Sequence, residues 1–129
     1  MDIRQFGIYI SGSISHDPDF VKKFALAERL IKETLPEAFI FNPAAHQDIP
    51  SDGKTEEELW AEYLCRDLFM LMTISGRFRM KILVSITDHR TSKGSSLERS
   101  FAQQLGFRIL EIQDLYPDWD KMLAAEVAK

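Results

Sequence analysis

Glu98 and Asp67 are the residues whose type and setting can carry acid–base or nucleophilic chemistry. Glu98 follows Ser95-Ser96-Leu97 near the start of one helix-forming segment, and Asp67 lies between Arg66 and Leu68 inside another. Aspartate has poor intrinsic helix propensity, so its mid-helix place needs a reason. Pattern leaves two readings open. In the first, Glu98 complements the helix dipole and Asp67 is an exposed partner of Arg66 or another cation. In the second, a carboxylate pair beside a pocket acts as nucleophile and acid at an anomeric carbon, with burial separating the two pKa values.

The elements that must hold these residues follow from the periodicity of apolar positions. Gly7 to Gly12 reads as a short buried strand broken by Ser-Gly-Ser. Asp17 as N-cap and Pro18 at the first helical position open a helix running to Thr34, with Phe20, Phe24, Ala27, Leu30 and Ile31 at helical spacing. Ala38 to Phe41 is a second strand, ended by Asn42-Pro43, and residues 44–54 form a loop. Thr55-Glu-Glu-Glu58 has the composition of a capped acidic first turn. The helix after it extends to about Met72, while Ile74 to Arg79 fits either a longer helix or an inserted loop. Trp60, like Phe20 and Phe24, is expected in the core, and Cys65 in the packed stripe of this helix. Lys81 to Ile86 is a third strand, followed by a polar loop from Thr87 to Gly94. Ser95 to Leu105 is a helix stopped by Gly106, a C′ residue. Phe107 to Ile112 is a fourth strand, and the tail beyond Tyr116-Pro117 holds a further short helix.

Apolar strands alternating with amphipathic helices predict an α/β fold: a doubly wound, flavodoxin-like parallel sheet of four to five strands with helices on both faces. No linker or repeat divides the chain, so residues 1–129 are expected to form a single domain. Ligands of such sheets bind beyond the carboxyl ends of the strands. The polar residues at that edge are Ser11, Gly12 and Ser13 after the first strand, Asn42 after the second, and Ser92, Gly94 and Ser95 after the third. Free amides at the start of the helix there favour an oxygen-rich or anionic group.

The net charge of −4 gives no overall attraction to polyanions, so duplex nucleic acid is not expected as a partner. A single cysteine allows no internal disulfide and fits a reducing compartment. The longest apolar run, Leu68 to Ser75, falls far short of the ~20 residues that span a bilayer. No membrane insertion and a cytoplasmic location are expected. His16, His46 and His89 show no metal-ligand spacing, and no Walker loop or dinucleotide fingerprint is present, so neither metal nor cofactor is expected.

Several segments, in order, resemble the nucleoside 2-deoxyribosyltransferase-like superfamily, which includes the 2′-deoxynucleoside 5′-monophosphate N-glycosidases. They are Ile8-Tyr-Ile-Ser-Gly-Ser-Ile14, Phe41-Asn-Pro-Ala44, Trp60-x-x-Tyr63-Leu64-x-Arg66-Asp67-Leu68, and Ser92-Lys-Gly-Ser-Ser-Leu-Glu98, with Leu105 to Ile109 closing the pattern. The resemblance implies that Glu98 attacks the anomeric carbon, that Tyr9 orients it, and that Asp67 assists departure of the base. It also implies a small-molecule nucleoside or nucleotide as partner and a homodimer or higher homo-oligomer. Read without it, Tyr9 is equally a strand-core aromatic, and Ser11 and Ser13 are turn formers.

Two departures matter. Relatives acting on unphosphorylated nucleosides carry an aspartate two residues before the signature glycine, where this chain has Ser92. The serine resembles the monophosphate hydrolases, and with Ser13 it suits a 5′-phosphate; Lys93 and Arg90 either join them there or are solvated loop charges. The segment Thr73 to Lys81 is longer and more basic than its counterparts and lacks their aspartate. The expectation is therefore an N-glycosidase, or else a deoxyribosyltransferase. The alternative is a non-catalytic nucleotide-binding or sensing domain of the same fold.

Overall fold

A computed structural model describes residues 6–14, 17–86 and 93–129. The strands are β1 (Phe6–Ser11), β2 (Phe39–Phe41), β3 (Met80–Ser85) and β4 (Arg108–Glu111). The helices are α1 (Phe20–Thr34), α2 (Glu56–Arg77), α3 (Lys93–Gln104), α4 (Ile112–Leu115) and α5 (Trp119–Val127), with one 3-10 turn at Pro43–Ala45. The sheet has four strands in the order β2-β1-β3-β4, every pair parallel. This is the doubly wound, flavodoxin-like arrangement expected from the sequence.

Successive side chains of a strand point to opposite faces, and β1 supplies both faces of the sheet with core residues. Ile8 and Ile10 pack with Phe24, Ala27 and Ile31 of α1 and Trp119 of α5. Tyr9 points the other way, into a second core with Leu71 and Ile74 of α2 and Ala102 of α3. Burial on both faces explains why β1 reads as a continuous apolar run rather than an alternating one.

α2 opens with the predicted capping box: the Thr55 hydroxyl accepts from the Glu58 amide, and the Glu58 carboxylate accepts from the Thr55 amide. It closes at Arg77, so the segment after Met72 is an extension of the helix and not an inserted loop. Gly7 makes that extension possible. A Cβ there would lie 2.6 Å from the Phe78 ring and 2.7 Å from Cγ2 of Ile74. From Ile74 back to Asp67 the helix rises about 10 Å, the span of about three strand residues. Asp67 is thereby brought level with the carboxyl end of β1.

Two expectations are corrected. α1 begins at Phe20, because the Asp17 carboxylate accepts from the Asp19 amide at 2.9 Å and pairs with Lys23 at 2.6 Å, forming a turn ahead of the helix instead of capping it. Cys65 is exposed and outside the packing. It lies about 200° around the helix from Asp67, and the buried stripe of α2 is Asp67, Leu71 and Ile74. α3 ends as expected: Gly106 takes φ +86°, while Phe107 N–H reaches the Ala102 carbonyl and Gly106 N–H the Gln103 carbonyl, a Schellman motif.

Candidate functional site

The strand order reverses between β1 and β3, and the chain places three buried serines there. Ser11 and Ser85 are register partners at the two strand ends, and the Ser11 hydroxyl lies 3.2 Å from that of Ser95 on α3. The Ile86 amide donates to the Ser11 carbonyl at 2.9 Å, tying the two strands beyond the ladder. Gly12 is buried against Ile86, with no room for a side chain between them. Ser13 is half-buried just beyond.

Glu98 is the sixth residue of α3, in its second turn, and no acidic residue occupies the first. The dipole-complementing role considered for it therefore lapses. Its side chain turns inward, where Oε2 accepts a hydrogen bond from the Tyr9 hydroxyl at 2.9 Å. Tyr9 is completely buried and Glu98 is 5% exposed. Ser95, Glu98 and Ala102 share one stripe of α3, as Asp67, Leu71 and Ile74 share one stripe of α2, so both carboxylates sit on the faces that cover Tyr9.

Asp67 is 6% exposed and pairs with Arg66, combining features of both readings made from the sequence. Arg66 gives Nε and Nη2 to the same oxygen, Oδ1, at 3.1 and 2.8 Å. Among the described residues, Oδ2 of Asp67 and Oε1 of Glu98 accept no hydrogen bond. Each buried carboxylate is thus anchored, among the described residues, by one oxygen only.

Burial pushes the Glu98 carboxyl well above the usual carboxylate range, and the charge of Asp67 raises it further; donation from Tyr9 and the Arg66 charge oppose the shift. Burial also raises Asp67, but hydrogen bonding and charge from Arg66, with His46 behind it, pull it back. Asp67 therefore ionises first, and over an interval of pH the pair holds one proton, on Glu98. Burial and the two neighbouring carboxylates raise Tyr9, which keeps its phenol as a donor.

Residues with no expected part in the site complete it. Tyr9 and Phe41 are register partners on β1 and β2, and their rings stack at 5.5 Å. The His46 ring stacks on Phe41 at 5.3 Å with only 3° between the planes. Trp60 is half-buried rather than core, and its indole nitrogen lies 3.7 Å from where a Cβ on Gly94 would be, at the start of α3. Asn42 is buried, but its amide serves the protein itself: Oδ1 accepts from the Ala44 amide at 2.9 Å and Nδ2 donates to Glu28 at 3.0 Å. Its part is to shape the turn. Ser92, Arg90, His16, His89 and the Lys93 side chain lie outside the described residues.

No family model, curated protein or solved structure matches the chain. Among the described residues, no group of three His, Cys, Asp or Glu side chains could hold a metal ion, and no helix is long and apolar enough to cross a membrane.

Proposed function

We propose that the chain cleaves or transfers the N-glycosidic bond of a (deoxy)nucleoside or its 5′-monophosphate, with Glu98 as nucleophile and hydrolysis favoured over transfer. This makes it a protein of the nucleoside 2-deoxyribosyltransferase-like kind. The observation that carries the reading is the buried Tyr9–Glu98 hydrogen bond beside Asp67, at the sheet's switch point.

The electron accounting is consistent with one proton on the pair. Attack by the Glu98 carboxylate on the anomeric carbon forms a C–O bond as the glycosidic C–N bond breaks. The departing base takes a proton, which spares it leaving as an anion. In the resting pair that proton sits on Glu98, so attack requires its passage to Asp67 or to the base. Water, or a second base, then releases the sugar from Glu98. Ser11, Ser13 and Ser95, at the neighbouring strand ends and helix start, are suited to the sugar or phosphate oxygens.

Incubation with a panel of deoxynucleosides and their 5′-monophosphates, followed by detection of free base, tests the reading. Incorporation of an added second base separates transferase from hydrolase. The burial of Glu98 favours a second reading, a nucleotide-binding domain in which a protonated Glu98 only donates a hydrogen bond. Nucleotide binding without base release would select it.

A homo-oligomer belongs to the same proposal. Phe69 and Met72, 63% and 52% exposed, lie one turn apart on α2 and offer a second copy an apolar patch. Sedimentation of the wild type against Phe69→Glu decides this; a monomeric wild type would remove it.

A further inference from the structure

Neighbouring residues on an α-helix point about 100° apart and do not face each other. The Arg66 guanidinium nevertheless folds back onto Asp67, giving two donors to Oδ1. Two aromatic surfaces flank it in that position. Its Cζ lies 5.1 Å from the centroid of Tyr63, one turn earlier on α2, and 5.8 Å from that of Phe41, at the end of β2. A planar, weakly hydrated cation suits both surfaces. Nη1 turns the other way, donating to the His46 carbonyl and lying 3.6 Å from the Asp48 carboxylate. Tyr63 ties the same segment, its hydroxyl accepting from the Ile49 amide at 3.0 Å. One guanidinium thus joins a carboxylate on α2, the aromatic layer behind Tyr9 and the segment that follows the 3-10 turn.

We propose that Arg66 is the positioning residue of this site: it holds Asp67 through Oδ1, turns Oδ2 away from its own fork, and fastens His46 and Asp48 against α2. The geometric part stands on these contacts; the consequence for turnover rests on the N-glycosidase reading. Lysine cannot replace arginine here, since an ammonium has neither the planar fork nor the face that stacks. The His46 ring, lying flat on Phe41, and Asp48 are the other titratable groups that the folded-back guanidinium brings towards Asp67.

The test is a carbon-13 NMR titration of side-chain carboxylates without substrate, with Asp67 assigned through Asp67→Asn, on the wild type, Arg66→Gln, Arg66→Lys and Tyr63→Phe. The Asp67 midpoint should rise by about one pH unit or more in Arg66→Gln. It should rise by less in Arg66→Lys, which keeps the charge without the fork, and stay in place in Tyr63→Phe, which loosens only the Ile49 tie. With substrate, Arg66→Lys should lose about tenfold in kcat with KM little changed, as expected when a group acts in the transition state. An unmoved midpoint in Arg66→Gln, or an equal shift in Tyr63→Phe, would overturn the proposal. If Arg66→Gln does not fold, an unmoved midpoint in Arg66→Lys does so. Because the titration contains no substrate, it decides the role of Arg66 even if no base is ever released.

Discussion

The Tyr9 hydroxyl reaches Oε2 of Glu98 at 2.9 Å across 89 positions of sequence, from the centre of the sheet to the second turn of α3. The bond satisfies one oxygen of a buried acid and aims the other. Phe41, stacked on Tyr9, fixes the phenol ring independently of that bond.

Tyr9→Phe should therefore keep the fold and the Phe41 stack while removing only the donor. A hydrogen bond to a charged group contributes roughly 1.5–3 kcal/mol, so kcat/KM should fall by about 10–100-fold. Because the donation lowers the Glu98 pKa, its loss should move the Glu98 titration upward. Steady-state kinetics and carboxylate NMR check the two halves separately.

Glu98→Gln should trade activity for stability. Glu98 has a folded pKa above its unfolded value, so the native state binds the proton more tightly. Stability is then greatest below the unfolded pKa and declines as pH rises towards the folded pKa, beyond which the charged form carries the full penalty. A neutral glutamine escapes the penalty and still accepts from Tyr9. The variant should melt a few degrees above wild type at pH 8, since about 1 kcal/mol moves a domain of this size by roughly 3–6 °C. At pH 4 the two should melt together. Thermal scans at both pH values check it, and a lower melting point at pH 8 would contradict the burial argument.

The pH dependence of kcat/KM should be bell-shaped. The one-proton state of the pair is bounded below by the ionisation of Asp67 and above by that of Glu98. Both limbs report the coupled pair, and both should lie above ordinary carboxylate values. Asp67→Asn should abolish the acid limb. A profile flat from pH 4 to 9 would show that neither group acts.

Much of this site could be read in the sequence, and for definable reasons. β1 is apolar on both faces, which points to a covered parallel sheet and so to the edge where such sheets bind ligands. Asp67 stands out as a poor helix former in mid-helix and Glu98 as an acid at the expected ligand edge, but pattern leaves both readings of these acids open, and only the family resemblance favours the catalytic one. What could not be read depends on contacts between distant elements. Arg66 reads from the sequence only as a possible partner of Asp67, and its stacking on Tyr63 and Phe41 is visible only in the fold. Asn42 looks like a ligand group until Glu28, on α1, is found to engage its amide. Cys65 lies on the exposed side of α2 rather than in its packed stripe, because that stripe runs through Asp67, Leu71 and Ile74. Phe78 and Ile74 against Gly7 decided the extension of α2, a fit no local propensity records.

That fit carries its own prediction. Gly7→Ala sets a methyl against the Phe78 ring and Ile74, and overpacking of this kind costs about 1–3 kcal/mol. Denaturant unfolding should show the loss. If α2 shifts to relieve it, Asp67 moves with the helix, and the Asp67 titration should change as well.

The central claim is that Glu98 attacks an anomeric carbon, and the direct measurement is free base released from deoxynucleosides and their 5′-monophosphates by wild type and Glu98→Gln, compared under single-turnover conditions. The wild type should release base from at least one substrate, and the variant should be slower by about 10³-fold or more, with Asp67→Asn also impaired. Release at equal rates by wild type and Glu98→Gln, or no release from any substrate by the wild type, would contradict it.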